Sequence, residues 1–248
     1  MSTSTLLFTL LFVGIAGVVS VWQRLGLAKD LLVGTVRAGL QLFAIGYVLA
    51  WLLGANNLLA MLPVLAVMIT VATFSAAKRA PGLPGIRWRV GVAIGVGALL
   101  TVGLMLLLQI IPIQVRFILP FVGMMTGAAM TTCSALLNRL EGEMSARRGE
   151  VELLLALGAT PRQATAQVLR SAVRAAMIPH VDILKTVGLV QLPGTMTGQI
   201  LAGQSPVEAV KYQILIMYAL TSTAAVAAII LGLLAYRLYF NEAAQLVR

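Results

Sequence analysis

Several soft or polar groups that could meet a metal lie on one short stretch of this sequence. Thr126, Met130 and Cys133 stand at i, i+4 and i+7, which sets them on one face of a helix. Thioether and thiol suit Cu(I) and, less well, Fe(II), so Met130 and Cys133 are the candidate metal ligands. The same two residue types also serve as gap fillers in apolar cores. A second group starts at His180 and Asp182. Two residues apart on a helix they do not face each other, so a shared metal site needs irregular backbone. Lys185 follows Asp182 by three residues, close enough to pair with it. Pairing or snorkelling would relieve a cation that costs roughly 2.5–3.5 kcal/mol at the bilayer centre. Pro193-Gly194 then interrupts an apolar stretch. Broken backbone is tolerated in lipid only where it is buried or lines a cavity. Thr195, Met196, Thr197 and Gln199 are thus candidate linings of a gate or pathway, and a kink that improves packing is the plainer alternative.

Several other chemistries lack their parts. No apolar stretch holds paired carboxylates, which a proton relay or intramembrane aspartyl catalysis requires. No Gly-x4-Gly-Lys-Ser/Thr is present to cradle ATP phosphates. Cysteine and histidine never cluster at zinc spacing, and Cys133 alone cannot close a disulfide. Active transport by this chain would need energy from a separate polypeptide.

The elements that must position these groups follow from composition. Of 248 residues, 60% are apolar, against about 45–50% in soluble domains even with glycine included. Eighteen basic and 8 acidic residues cannot coat a water-soluble particle of this size. The sequence reads as all-α and polytopic, a single transmembrane domain over 1–248. A span takes about 20 residues, and apolar runs suggest about seven: 5–22, 32–53, 58–77, 90–111, 117–138, a weaker 183–201, and 212–236. The first has no preceding basic residue and is followed by Arg24 and Lys29, unlike a cleaved secretory signal. With an outside N-terminus, only Arg116 and Lys211 fall in outside loops, while Arg37 and Lys185 lie within spans. Arg37 is near enough to its span end to snorkel. The positive-inside bias therefore predicts an inner, multi-pass cell-membrane protein with a cytoplasmic C-terminus. Losing the weak sixth span would reverse that last assignment. Gly91-x-x-x-Gly95 and Gly123-x-x-x-Gly127 suggest close helix packing.

Residues 139–177 form the charged block between spans five and six. Glu143/Arg147 and Arg148/Glu152 are i,i+4 pairs suited to a solvent-facing helix. The run 153–157 ends at Gly158; Thr160 can cap a new helix, with Pro161 at its first position and Gln163 completing a capping box. The segment reads as helix, sharp turn, helix. Tethering between spans argues against DNA binding despite Arg162, Arg170 and Arg174. Two readings remain: an elbow that docks a soluble partner, and an amphipathic hairpin lying on lipid.

Glu152-Leu-Leu-Leu-Ala-Leu-Gly158-Ala159-Thr160-Pro161 resembles the Glu-x5-Gly coupling motif of ATP-binding-cassette permeases. The longer stretch 150–164, together with Leu192-Pro193-Gly194-Thr-Met196-Thr-Gly198, resembles the FetB-type iron-export permease family, which includes the plant aluminium-sensitivity half-transporters. The likeness runs over nearly the whole chain and is sharpest across 120–220. It implies docking on an ATPase through Glu141, Glu150, Glu152, Leu155, Gly158, Ala159, Thr160 and Pro161. It also implies ATP and Mg bound by that partner and none by this chain, a permease homodimer in lipid, a metal ion as substrate and no nucleic acid. Where the family carries Gly-Met-x-x-Gly-Asn-x-Met-Asn, this chain has Gly123-Met124-Met125-Thr126-Gly127-Ala128-Ala129-Met130-Thr131. Any substrate role of those asparagines does not carry over, which leaves Met124, Thr126 and Met130 as lining candidates there. The rival expectations are a permease for an organic substrate, such as a nucleotide sugar or lipid, and a scaffold or channel needing no ATPase.

Overall fold

Few charges interrupt the apolar runs, and most of those runs form long helices. A computed structural model describes residues 8–55 and 57–247, and among these every regular element is helical. Two compact units emerge, 1–57 and 58–248.

In the first unit, α1 (Leu10–Trp22) and α2 (Ala28–Ala55) pack on each other. The buried Ser20 hydroxyl accepts from the Leu27 N–H at 3.0 Å and closes the turn between them. Large apolar side chains of both helices face outward, among them Phe12, Phe43, Tyr47 and Trp51. Residues 5–7 of the first expected span lie outside the described residues.

The second unit contains α3 (Leu58–Ala77), α4 (Ile86–Leu107), α5 (Val115–Ala146), α6 (Arg148–Ala156), α7 (Pro161–Ala164), α8 (Ala166–Thr186), α9 (Gly194–Leu201) and α10 (Pro206–Ala235), followed by a 3-10 turn, Tyr236–Tyr239. Helix α5 is the hub, packed on α3, α4, α8 and α10. Its interfaces are built from small residues, including Ala72, Ala76, Ala93, Ala129, Ala172, Ala176, Ala227 and Ala228. Small side chains let backbones approach, which is how helices associate where apolar solvent gives no hydrophobic drive. The glycine that most closely approaches the backbone of another helix lies outside the two glycine pairs read from sequence. A Cβ placed at Gly97 would stand 3.2 Å from the Thr223 carbonyl oxygen of α10. Gly91 and Gly123 do face α3 at Thr73 and Met68, whereas nothing lies near Gly95 or Gly127.

Five helical segments are long and apolar enough to cross a membrane: Ala28–Gly54, Leu58–Ala77, Ile86–Leu107, Val115–Ala146 and Pro206–Tyr239. The expected sixth span does not exist as a helix. Helix α8 starts at Ala166, well before residue 183, and stops at Thr186; the chain then turns, and α9 has only eight residues. Gly188 at φ +84° donates its N–H to the Gln191 carbonyl, and Pro193 ends the turn, so 183–201 cannot stay helical. Helix α5 outruns the expected 117–138 as well. At 1.5 Å per residue its 32 residues reach about 48 Å, beyond a hydrocarbon core of about 30 Å.

Candidate functional site

The elbow forms as its local chemistry dictates. Thr160 and Gln163 make a reciprocal capping box, with the Thr160 N–H donating to Gln163 Oε1 at 2.9 Å. Gly158, at φ +90°, ends α6 and donates to the Leu155 carbonyl oxygen at 3.0 Å. An L-residue resists that conformation, so glycine is the natural occupant. Both expected i,i+4 pairs close: Arg147 Nε to Glu143 at 3.0 Å and Arg148 Nε to Glu152 at 2.8 Å. Arg139 reaches Glu143 as well, at 2.7 Å, and Glu150 sits 3.6 Å from Arg147. Glu143 is buried and Glu141 half-buried, while Glu150 and Glu152 are exposed.

What sequence could not show is how the elbow joins the bundle. One residue, Arg147, separates α5 from α6, and one residue, Thr165, separates α7 from α8. Val151 and Ala164 insert into the same core as Ala172 and Leu231, with Leu155 packed beside them. Leu153 and Leu157 point away, 60% and 76% exposed. Ala159 and Thr160 carry the chain from α6 into α7, which Pro161 opens.

The C-terminal tail completes this end. Tyr239 is buried in the core, and Phe240 and Leu246 pack against it across an antiparallel bridge. Asn241 and Gln245 fasten the hook: the Gln245 N–H donates to Asn241 Oδ1 at 2.8 Å and Asn241 Nδ2 to Gln245 Oε1 at 2.9 Å. A hollow of about 350 Å³ lies between Thr160, Pro161 and Arg162 and the hook residues Phe240, Asn241 and Glu242. Tail and elbow therefore occupy the same end of the second unit. Sequence offered no signal for the hook beyond the aromatic pair Tyr239-Phe240.

The metal and pathway candidates separate. Cys133 is 0% exposed among alanines and leucines of the core, and Met130 is half-buried against the same cluster. Met124 is half-buried, and Thr126 is buried with an Oγ1 that has no partner. Among the described residues, no three His, Cys, Asp or Glu side chains gather closely enough to hold a metal ion. The expected Asp182–Lys185 ion pair is not made among the described residues. Both side chains are exposed, so water can solvate each, and Lys185 lies in the last turn of α8, where a cation suits the helix C-terminus. His180 instead meets α5, its Nε2 2.8 Å from Thr132 Oγ1, a contact that the sequence reading did not foresee.

Beyond the break, Pro193 caps α9, Gly194 opens it, and Met196 lines a cavity of about 390 Å³ with Leu184, Leu192, Gln213, Met217 and Tyr218. Thr195 hydrogen-bonds Gln213 at its edge. Gln199 is half-buried, and its Oε1 is enclosed without a partner. The cavity is apolar with a few polar groups, the usual make-up of a ligand pocket.

Long outward-apolar helices, with most of the ion pairs gathered at or beside the elbow, define a polytopic helical membrane protein. The chain belongs to the UPF0014 family, described as "Uncharacterised protein family (UPF0014)", which matches residues 3–240. It is 40% identical to UPF0014 membrane protein YjkA of Bacillus subtilis over 98% of this chain and 97% of that one. It is 38% identical to the "Probable iron export permease protein FetB" of Escherichia coli, over 99% of this chain and 95% of that one. The Arabidopsis thaliana "Protein ALUMINUM SENSITIVE 3" is 36% identical, with 96% and 87% covered. No solved structure matches the chain.

Proposed function

We propose that this chain is the permease subunit of an ATP-binding-cassette exporter and that it moves a metal ion, with iron the first candidate. It is a transporter component and not an enzyme; ATP and Mg are handled by a separate subunit. The observation that carries this reading is the elbow. Its two short helices are joined to α5 and α8 through single residues, they are seated in the bundle core, and Leu153 and Leu157 are left outward as anchors. Exposed apolar residues beside charged ones suit a protein partner. A push on such an elbow reaches α5 and α8 directly, without a slack loop to absorb it. The relative named as a probable iron export permease supports the cargo.

In this reading the elbow and the hook face the cytosol, the N-terminus lies outside, and two copies pair with two ATPase subunits. Tail and elbow share one end whatever the number of spans, which removes the dependence on a sixth span at 183–201. Motion of α8 would then move the break and the cavity around Met196, where Met196 and Gln213 offer soft and polar contacts to a passing ion. Inverted vesicles containing the chain and its ATPase test this: ATP-dependent iron uptake is expected. Uptake that is absent for iron and for other metals, while an organic solute accumulates, would replace the metal by that solute. Purification in gentle detergent without any ATP-hydrolysing subunit would reject the ATPase-driven reading itself.

A further inference from the structure

Arg170 and Arg174 stand one turn apart on the same exposed face of α8, and neither makes an ion pair among the described residues. Between α8 and α10 they border an open groove of about 330 Å³ whose remaining walls are Leu169, Val173, Ile229 and Leu233. The carboxylates that could neutralise them are engaged or distant. Glu143 on α5 is held by Arg139 and Arg147. Asp182 lies eight residues beyond Arg174, about 12 Å along the helix. The facing stretch of α10, residues 224–235, has no ionisable side chain. The groove also sits at a definite depth. Arg170 and Arg174 occupy the first turns of α8 and Leu233 the last turn of α10, at the end that bears the elbow. That is where the hydrocarbon edge meets the headgroups if α10 spans.

We propose that this groove binds an anionic phospholipid, its phosphate between the two guanidinium groups and one acyl chain along Leu169, Val173, Ile229 and Leu233. Guanidinium is the side chain best shaped to hold a phosphate through paired N–H donors. Basic pockets between helices at a membrane face are a recognised setting for such headgroups. The apolar walls select a lipid over a free anion, because inorganic phosphate would leave them empty. The inference requires only that the chain sits in a bilayer, so it stands or falls separately from any transport activity.

Native mass spectrometry of the full chain, purified in gentle detergent with whatever subunits accompany it, reads the site. Phosphatidylglycerol and phosphatidylcholine with identical acyl chains are added in equal amount. Wild type should retain phosphatidylglycerol preferentially. R170Q/R174Q should weaken that retention about thirtyfold, the usual effect of a basic side chain at an anionic surface counted twice. R79Q, which removes a charge outside the groove, should leave it unchanged. R170K/R174K should keep most of the preference, which distinguishes lost charge from lost folding. Equal retention of both lipids by wild type would overturn the proposal, and so would undiminished phosphatidylglycerol on R170Q/R174Q. Displacement of the lipid by millimolar inorganic phosphate would reduce the groove to a simple anion site and overturn the acyl-chain contact.

Discussion

Thr132 has one proton to give, and its hydroxyl donates to the Ala128 carbonyl oxygen at 2.8 Å. The oxygen's second contact, His180 Nε2 at 2.8 Å, therefore has the imidazole as donor. That leaves the Nδ1 lone pair of His180 uncommitted to Thr132, and it fixes one point where α8 is keyed to α5. Buried hydrogen bonds between membrane helices average about 0.6 kcal/mol and reach about 1.7 kcal/mol. Thr132→Val and His180→Phe should each destabilise the fold by an amount in this range, and the double variant should cost less than their sum. Thermal unfolding in detergent, run as a double-mutant cycle, measures the coupling. Strict additivity would show that the two side chains merely lie side by side. Cys133, one position along, illustrates the opposite case: its donor atom is chemically apt for a soft metal, yet alanines and leucines surround it.

At the scale of elements, the elbow depends on one backbone conformation. Gly158 combines φ +90° with an N–H that donates to Leu155. Proline can adopt neither, having a fixed φ near −65° and no N–H. Gly158→Pro should therefore unseat the turn, and transport should fall while the ATPase continues to hydrolyse ATP. Gly158→Ala should cost roughly 1–2 kcal/mol from the left-handed conformation alone and lower transport partially. Paired flux and hydrolysis assays check both, and wild-type flux from Gly158→Pro would refute a coupling role. This turn was legible in sequence because Gly158, Thr160, Pro161 and Gln163 act locally, each through its own backbone. A second helix after the turn was legible from its Thr160–Gln163 cap, but the run of α8 on to Thr186 was not. Its buried stripe is Val168, Ala172 and Ala176, whose small side chains carry little hydropathy, whereas Arg170 and Arg174 on the other face advertise water. The break at 187–193 was half legible: Pro193-Gly194 marked it, but the apolar residues on either side read as one span. Nothing in the sequence joined residues 240–246 to the elbow, since that packing depends on where α10 ends.

For the whole molecule, the question is whether the second unit moves as a lever driven from its elbow end. Three features converge there: single-residue joints at Arg147 and Thr165, a hook that pins the tail against the core, and two large apolar side chains left in the open. Exposed leucines in a membrane protein usually meet lipid, but Leu153 and Leu157 are surrounded along the chain by Arg147, Arg148, Glu150 and Glu152. Lipid tails do not suit that company, whereas the centre of a protein interface with a charged rim does. Because both side chains are mostly exposed, replacing them leaves the core intact, and surface changes of this kind usually alter stability by no more than about 0.5 kcal/mol. L153D/L157D should therefore unfold at the wild-type temperature, yet lose the ATPase on co-purification and lose ATP-dependent flux. Burying two carboxylates in an apolar contact without partners is what prevents docking. Recovery of the ATPase in normal yield with this variant would mean that the leucines face lipid, and the elbow would then be a surface-lying hairpin with no lever function.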